Sequence, residues 1–282
     1  MTPPPDVAAA DAYCWRLACR HYENFTVASR ILRGRLRQDL ARVYAYCRTT
    51  DDLGDESPSE ARARLERWRE EVLELFAGRR PSHPVLVALG ETIAAYALPA
   101  RPFLDLIQAN LQDQEVSRYA VWPELREYCM LSAAPVGRIV LSLFRLGSPE
   151  AARLSDDVCI GLQLANFAQD VRVDARKGRT YLLESELAVG GVARATRAHC
   201  ERARALLASG RALEAMAPWP LRFQLALYRL GGLAILDAIE RLGYRTDLRR
   251  PRVSGPARLL VLARAVRRSL SGGGDARRLE AA

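Results

Sequence analysis

Apolar residues recur at helical spacing along almost the whole chain. In the first such stretch Ala10, Tyr13, Cys14, Leu17 and Ala18 return every three or four positions, which lays one apolar stripe along a helix beginning at Val7. The same period predicts helices over Leu36–Leu53, with Leu40, Val43, Tyr44 and Cys47 inward, and over Val85–Tyr96, Pro102–Glu115 and Trp122–Ser132. Further helices are predicted from Ser148-Pro149-Glu150 through Asp174, over Arg194–Met216 and over Leu221–Leu242. Turn residues punctuate them. Ser59 reads as the N-cap of a mixed-charge helix that Gly78 to Pro81 stops, Pro135 suits the first turn of a restarted helix, and Gly178 closes the element after Asp174. No strand-like alternation and no internal repeat interrupts this pattern. The expectation is an all-α fold, one helical bundle over residues 1–282 with its ligands in the core and with 1–6 and 271–282 as disordered ends.

Two polar stripes break the helical apolar pattern. Asn166, Asp170 and Asp174 are spaced i, i+4, i+8, and Asp51 and Asp55 are again one turn apart, with Asp52 and Glu56 as a second like-charged pair. Like charges at that spacing destabilise a helix by roughly 0.2–0.5 kcal/mol per pair, so a ligand is needed to offset the cost. A hard divalent cation meets the need. Mg2+ takes oxygen ligands, accepts one or two carboxylates and leaves its other positions to water and substrate phosphate. The two stripes are therefore expected to point at each other as a box of oxygens. An isolated DxxxD is more often a solvated helix face, but two of them beside basic residues in apolar helices favour metal.

Composition changes the weight of several features. The net charge of +9 invites a nucleic-acid partner, yet the basic residues are nearly all arginine and Lys177 is the only lysine. With the abundance of Ala and Arg, that skew suggests a bias toward GC-rich codons, which raises arginine without a ligand to bind, so nucleic acid is not expected as a partner. Asparagine occurs only at positions 24, 110 and 166, which makes the amide in the second stripe pointed. The six cysteines form no CxxC pair, the N-terminus carries no secretory apolar run, and a cytoplasmic protein with packed thiols is expected. Cys14, Cys19 and His21 have the wrong spacing for zinc. His83 and His199 read as surface residues. Charges within Leu221–Leu242 exclude a membrane span there, while the segment Ala257–Arg268 reads as a last packing helix, or else as a basic amphipathic helix on an anionic membrane.

Taken together, His21-Tyr22-Glu23-Asn24-Phe25, Val43-Tyr44 to Arg48-Thr-Thr-Asp51-Asp-Leu-Gly-Asp55-Glu, Tyr128-Cys, Ser132-Ala-Ala-Pro-Val-Gly-Arg138, Gln163-Leu-Ala-Asn166-Phe and Gly178-Arg-Thr-Tyr181-Leu resemble the squalene and phytoene synthase family. The blocks cover nearly the whole chain. HYENF and SAAPVGR look most like the bacterial hopanoid branch that turns presqualene diphosphate into hydroxysqualene.

The resemblance implies an isoprenoid-synthase helical bundle with a central apolar cavity. It implies that Asp51, Asp55, Asn166, Asp170 and Asp174 hold Mg2+ on a prenyl diphosphate, that Arg48, Lys177, Arg179 and Tyr181 contact the diphosphate, and that Phe25, Tyr44, Tyr128 and Gln163 line the pocket. Tyr128 joins the four aspartates as a catalytic position. Ala168 and Leu183 depart from the family pattern, where an aromatic and a proline are usual. NADPH, the hydride donor of full squalene synthases, is not favoured; no GxGxxG is present, although members that use NADPH lack one too. The alternatives are head-to-head condensation to presqualene diphosphate, squalene or phytoene, and a catalytically dead lipid-diphosphate binder.

Overall fold

The structure, a computed structural model, describes residues 6–21, 32, 34–55 and 59–271, with backbone alone at His21 and Ser271. Expectations for residues 1–5, for Tyr22 to Phe25, for Glu56 and for 272–282 fall outside the described residues. Eleven helices occur among them: α1 Val7–His21, α2 Gly34–Asp55, α3 Ala61–Phe76, α4 Pro84–Tyr96, α5 Arg101–Gln112, α6 Trp122–Ser132, α7 Ala134–Leu143, α8 Pro149–Arg176, α9 Glu184–Met216, α10 Trp219–Arg241 and α11 Gly255–Ser271. No strand is present among the described residues beyond one isolated parallel bridge between Arg118 and Thr180. Contacts divide the chain into two compact units, residues 1–115 with 138–145 and residues 116–137 with 146–282.

In the first unit α2 packs against α1, α3, α4 and α5. Its fully buried Tyr46 ring lies 5.8 Å from Trp68 and 5.2 Å from Phe103, and its hydroxyl donates to the Phe103 carbonyl at 2.9 Å. Trp68 Nε1 donates to Thr50 Oγ1 at 3.0 Å, so α2 is anchored one residue before the first acidic motif. A buried polar network ties α1, α2 and α4. Arg42 donates to Asp11 at 2.6 Å and to Asp39 at 3.1 Å, and Thr92 Oγ1 donates to Asp39 at 2.8 Å. Such a network, fully satisfied, selects one packing arrangement among several apolar ones.

In the second unit α8 packs against α6, α9 and α10, and α11 lies along α10. Ser148 caps α8 through Ala151 N at 3.1 Å, with Pro149 at its first position as its sequence predicts. Leu154, Val158, Leu164 and Phe167 bury the inner face. Arg229 grips Glu214 through Nε at 2.6 Å and Nη2 at 3.1 Å inside the core between α9 and α10.

Three local expectations need correction. Ser59 is not the cap of α3; Glu60 holds that place and no side chain closes the helix end. His83 is a half-buried cap of α4, its Nδ1 accepting from Val85 N at 3.2 Å and its ring set edge-on to Trp68 at 4.9 Å. The helix expected from Arg194 begins earlier, at Glu184, and bends at Gly190 and Gly191 where the backbone leaves helical geometry. The kink explains the reading, because the apolar period restarts after it.

Candidate active site

In the first unit, Tyr44, Arg48, Asp51 and Asp55 follow one another at i, i+4, i+7 and i+11 along α2, and so share a face. Asp51 and Asp55 are exposed at the helix end. The Asp51 carboxyl is nevertheless raised to about 6, first by the protein atoms that displace water around it and then by Asp55 and Asp52, against the opposing pull of Asn110 and Arg48. Its edge touches solvent, yet the protein atoms packed around it displace enough water for desolvation to be the largest cause, with the neighbouring carboxylates adding to it. Uncompensated negative charge at this point is what a bound cation relieves. Arg48 pairs with Asp52, as its spacing predicts, and its Nε is buried with no hydrogen-bond partner among the described residues. An anionic oxygen would satisfy that donor.

The sequence reading missed Asn110. Its Nδ2 donates to Asp51 Oδ1 at 3.3 Å and to the Leu106 carbonyl at 3.1 Å, fixing the amide beside the acidic motif. Gln114, in the turn just after α5, donates to the Gly54 carbonyl at 3.1 Å. The rarity of asparagine, applied above to Asn166, pointed equally to Asn110.

In the second unit, Gln163, Asn166, Asp170 and Asp174 stand on α8, with Asn166 exposed and the other three half-buried. The chain then turns. Lys177 N and Arg179 N donate to the Asp174 carbonyl at 2.9 and 3.0 Å, and Gly178 takes φ +76°, a conformation that costs a residue with a Cβ. The turn sets Lys177 and Arg179 immediately beyond the acidic stripe. Among the described residues no three His, Cys, Asp or Glu side chains converge as a ready-made metal cluster. Asp170 is instead engaged by a cation from the chain itself, Arg250, whose Nη2 donates to Oδ2 at 3.0 Å while Nε donates to Oδ1. A carboxylate that recruits a guanidinium in this way has the charge and the oxygens a divalent ion requires.

Tyr181 and Tyr128 come together in a buried aromatic stack. The Tyr181 ring lies 4.0 Å from Phe167 at 8°, 5.7 Å from Tyr128 and 6.0 Å from Tyr119. Phe167 and Tyr119 were not singled out by sequence, since an aromatic at helical spacing reads as ordinary core and Tyr119 lies in a connecting segment with no periodicity. The strand-like bridge positions this stack, with Thr180 N donating to the Ser117 carbonyl at 2.8 Å and Glu184 N to the Tyr119 carbonyl at 3.0 Å. His199 supports it from α9. This histidine is fully buried rather than superficial, its Nε2 donating to the Tyr181 carbonyl at 2.9 Å and its Nδ1 3.6 Å from Glu186. The reading failed because the exposed charges next to it, Arg197 and Glu201, lie on another face of the helix, while Arg202 shares Glu186 with the buried ring. Phe25 lies outside the described residues.

The model of the squalene/phytoene synthase family matches residues 18–257. This chain belongs to the squalene/phytoene synthase family. Family members of known structure share its all-helical fold. The crystal structure of squalene synthase HpnC from Alicyclobacillus acidocaldarius is 43% identical, with TM-score 0.79 over 86% of this chain and 97% of that one. A dehydrosqualene synthase crystallised with a ligand superposes with TM-score 0.84 over 94% of this chain and 98% of that one at 21% identity, which bears on the fold alone. Among curated family members, phytoene synthase 2 of Solanum lycopersicum is 30% identical over 93% of this chain and 92% of its own length. Phytoene synthase 3 of Zea mays is 32% identical over 89% of this chain, which spans 64% of that longer protein. The family's enzymes act on prenyl diphosphates, and the all-α isoprenoid-synthase fold is common to them.

Proposed function

We propose that the protein ionises presqualene diphosphate with the help of Mg2+, and that rearrangement and capture of one water give hydroxysqualene. One observation carries this reading: Asn166, Asp170 and Asp174 stand along α8 with Lys177 and Arg179 directly after them, in a chain 43% identical to squalene synthase HpnC. The HYENF and SAAPVGR blocks favour the water-capturing branch.

Asp51, Asp55, Asn166, Asp170 and Asp174 would hold the metal, which when bound supplies positive charge against the leaving diphosphate. Lys177 and Arg179, placed by the Gly178 turn, and Arg48, with its unpartnered Nε, pair with diphosphate oxygens and lower the barrier to breaking the C–O bond. The face of the Tyr119, Tyr128, Phe167 and Tyr181 stack attracts the carbocation left behind, at about 0.5–2 kcal/mol per ring. An apolar wall also keeps bulk water from quenching it early. NADPH is not required in this reading.

A second reading is favoured by the phytoene synthases among the curated relatives: head-to-head condensation of two farnesyl or geranylgeranyl diphosphates. Incubation with Mg2+ and presqualene, farnesyl or geranylgeranyl diphosphate, with and without NADPH, followed by mass spectrometry of the products, separates the two. Hydroxysqualene from presqualene diphosphate supports the first, and phytoene from the C20 substrate overturns it.

The same proposal places the protein peripherally on an anionic membrane through α11. No helix among the described residues is long and apolar enough to cross one. Helix α11 buries Ala265 and Ser269 but leaves Leu259, Ala263, Val266 and Leu270 exposed at i, i+4, i+7 and i+11. Arg258 flanks this stripe on one side and Arg264 and Arg267 on the other, the arrangement of a helix that lies in a headgroup layer.

A further inference from the structure

The segment between α10 and α11 contains Arg249-Arg250-Pro251, which reads in the sequence only as the point where α10 has ended. In the structure it is fastened to α8 by three side chains within a single helical turn. Arg172 Nη1 donates to the Leu248 carbonyl at 3.0 Å, Gln169 Nε2 donates to the Pro251 carbonyl at 3.0 Å, and between them Asp170 accepts both arms of the Arg250 fork. Residues 169, 170 and 172 thus meet 251, 250 and 248 in antiparallel order. Pro251 is buried, so the backbone carrying Arg250 is held. Its guanidinium is not, since the side chain is 49% exposed against 14% for Asp170. Asp174, one turn further along, adds to the negative field on Arg250.

The carboxylate this fork occupies is one of those assigned above to the metal. A guanidinium on both oxygens neutralises the carboxylate and sets a like charge against an incoming divalent ion. Diphosphate reverses the balance, because its oxygens match the same planar fork and carry more charge than one carboxylate. The held backbone and half-exposed side chain let Arg250 exchange partners without unfolding its segment.

We propose that Arg250 is an exchangeable counter-ion: it neutralises Asp170 and opposes divalent metal there while no diphosphate is bound, and it moves to the diphosphate when metal and diphosphate arrive together. This rests on the metal-dependent reading of the site. Its consequence is positive coupling between the two ligands, of the order of tenfold.

The test uses the full chain, Mn2+ as a paramagnetic probe read by electron spin resonance, and inorganic pyrophosphate followed by calorimetry. Arg250→Met removes the charge and keeps the apolar stem, and Arg252→Met is the neighbouring control. With Mn2+ alone, Arg250→Met is expected to bind about tenfold more tightly than the parent. With Mn2+ present, it is expected to bind pyrophosphate about tenfold more weakly, while Arg252→Met follows the parent in both titrations. Arg250→Lys, which keeps the charge without the fork and guards against a folding defect, is expected to fall between them. If the parent binds Mn2+ and pyrophosphate but Arg250→Met holds Mn2+ alone no more tightly, the counter-ion role is overturned and the metal reading stands. If the parent binds no Mn2+ with or without pyrophosphate, the metal reading fails and the counter-ion role falls with it.

Discussion

Gly54 and Asn110 share a space that only one of them can fill: a Cβ on residue 54 would lie 2.6 Å from Asn110 Oδ1. The missing side chain in Asp51-Asp52-Leu53-Gly54-Asp55 lets α5 bring an amide to Asp51 at 3.3 Å. Asn110 can swing aside, so Gly54→Ala is expected to preserve the fold and displace the amide. Product formation should fall by about tenfold, the equivalent of roughly 1.4 kcal/mol. Asn110→Ala should reproduce the loss. Steady-state rates with circular dichroism as a folding control check this, and normal rates for both variants would disprove the role of the amide.

Chelation is expected to stop diphosphate release, and added Mg2+ to restore it. Asp51→Asn and Asp170→Asn should each lower the rate by at least about a hundredfold with unchanged melting profiles, as removal of a single charge-stabilising group commonly does. Mass spectrometry of the prenyl product, which needs no metal-dependent coupling enzyme, measures both effects. Full activity in EDTA would refute the metal assignment.

Stacking at 4.0 Å makes Phe167 and Tyr181 one packing unit. Phe167→Ala is expected to destabilise the chain by about 3–5 kcal/mol, from lost burial and the cavity left behind. Phe167→Leu should cost less, leaving mainly the loss of ring stacking, about 0.5–1.5 kcal/mol. Urea unfolding separates the two.

Glu186 gives a pH signature. Burial draws its carboxyl upward, but the facing His199 ring and Arg202 guanidinium outweigh that and hold it at about 2, below its ordinary 4.5. With the folded value depressed, the stabilisation is complete above pH 4.5 and is lost as pH falls through about 2. Glu186→Gln should therefore be about 1–3 kcal/mol less stable than the parent at pH 6. The gap should narrow as pH drops from 4.5 toward 2, in chemical-denaturation series at several pH values. A gap that does not change with pH would exclude this ion pair as its source.

Flotation with lipid vesicles tests the α11 stripe. The parent is expected to float with phosphatidylglycerol vesicles and much less with phosphatidylcholine. Leu259→Ser with Leu270→Ser should weaken flotation by at least about tenfold, since each leucine buried in the interface contributes about 1.5–3 kcal/mol. Equal flotation of parent and variant would reject the stripe as the docking face.

The helices and the acidic motifs are legible in the chain alone, because both are written in local spacing. A 3.6-residue apolar period places α2, α6, α8 and α10 to within a few residues, and i, i+4 carboxylates on such helices must share a face whatever surrounds them. What meets those faces depends on packing between distant segments. Asn110 reaches Asp51 across 59 positions, Arg250 reaches Asp170 across 80, and His199 on α9 supports Tyr181 in the segment before that helix. No periodicity encodes such pairs, since each depends on how two helices or a helix and a connecting segment pack. The same limit misplaced His199 on the surface, because charge along a sequence does not report which side of a helix is buried.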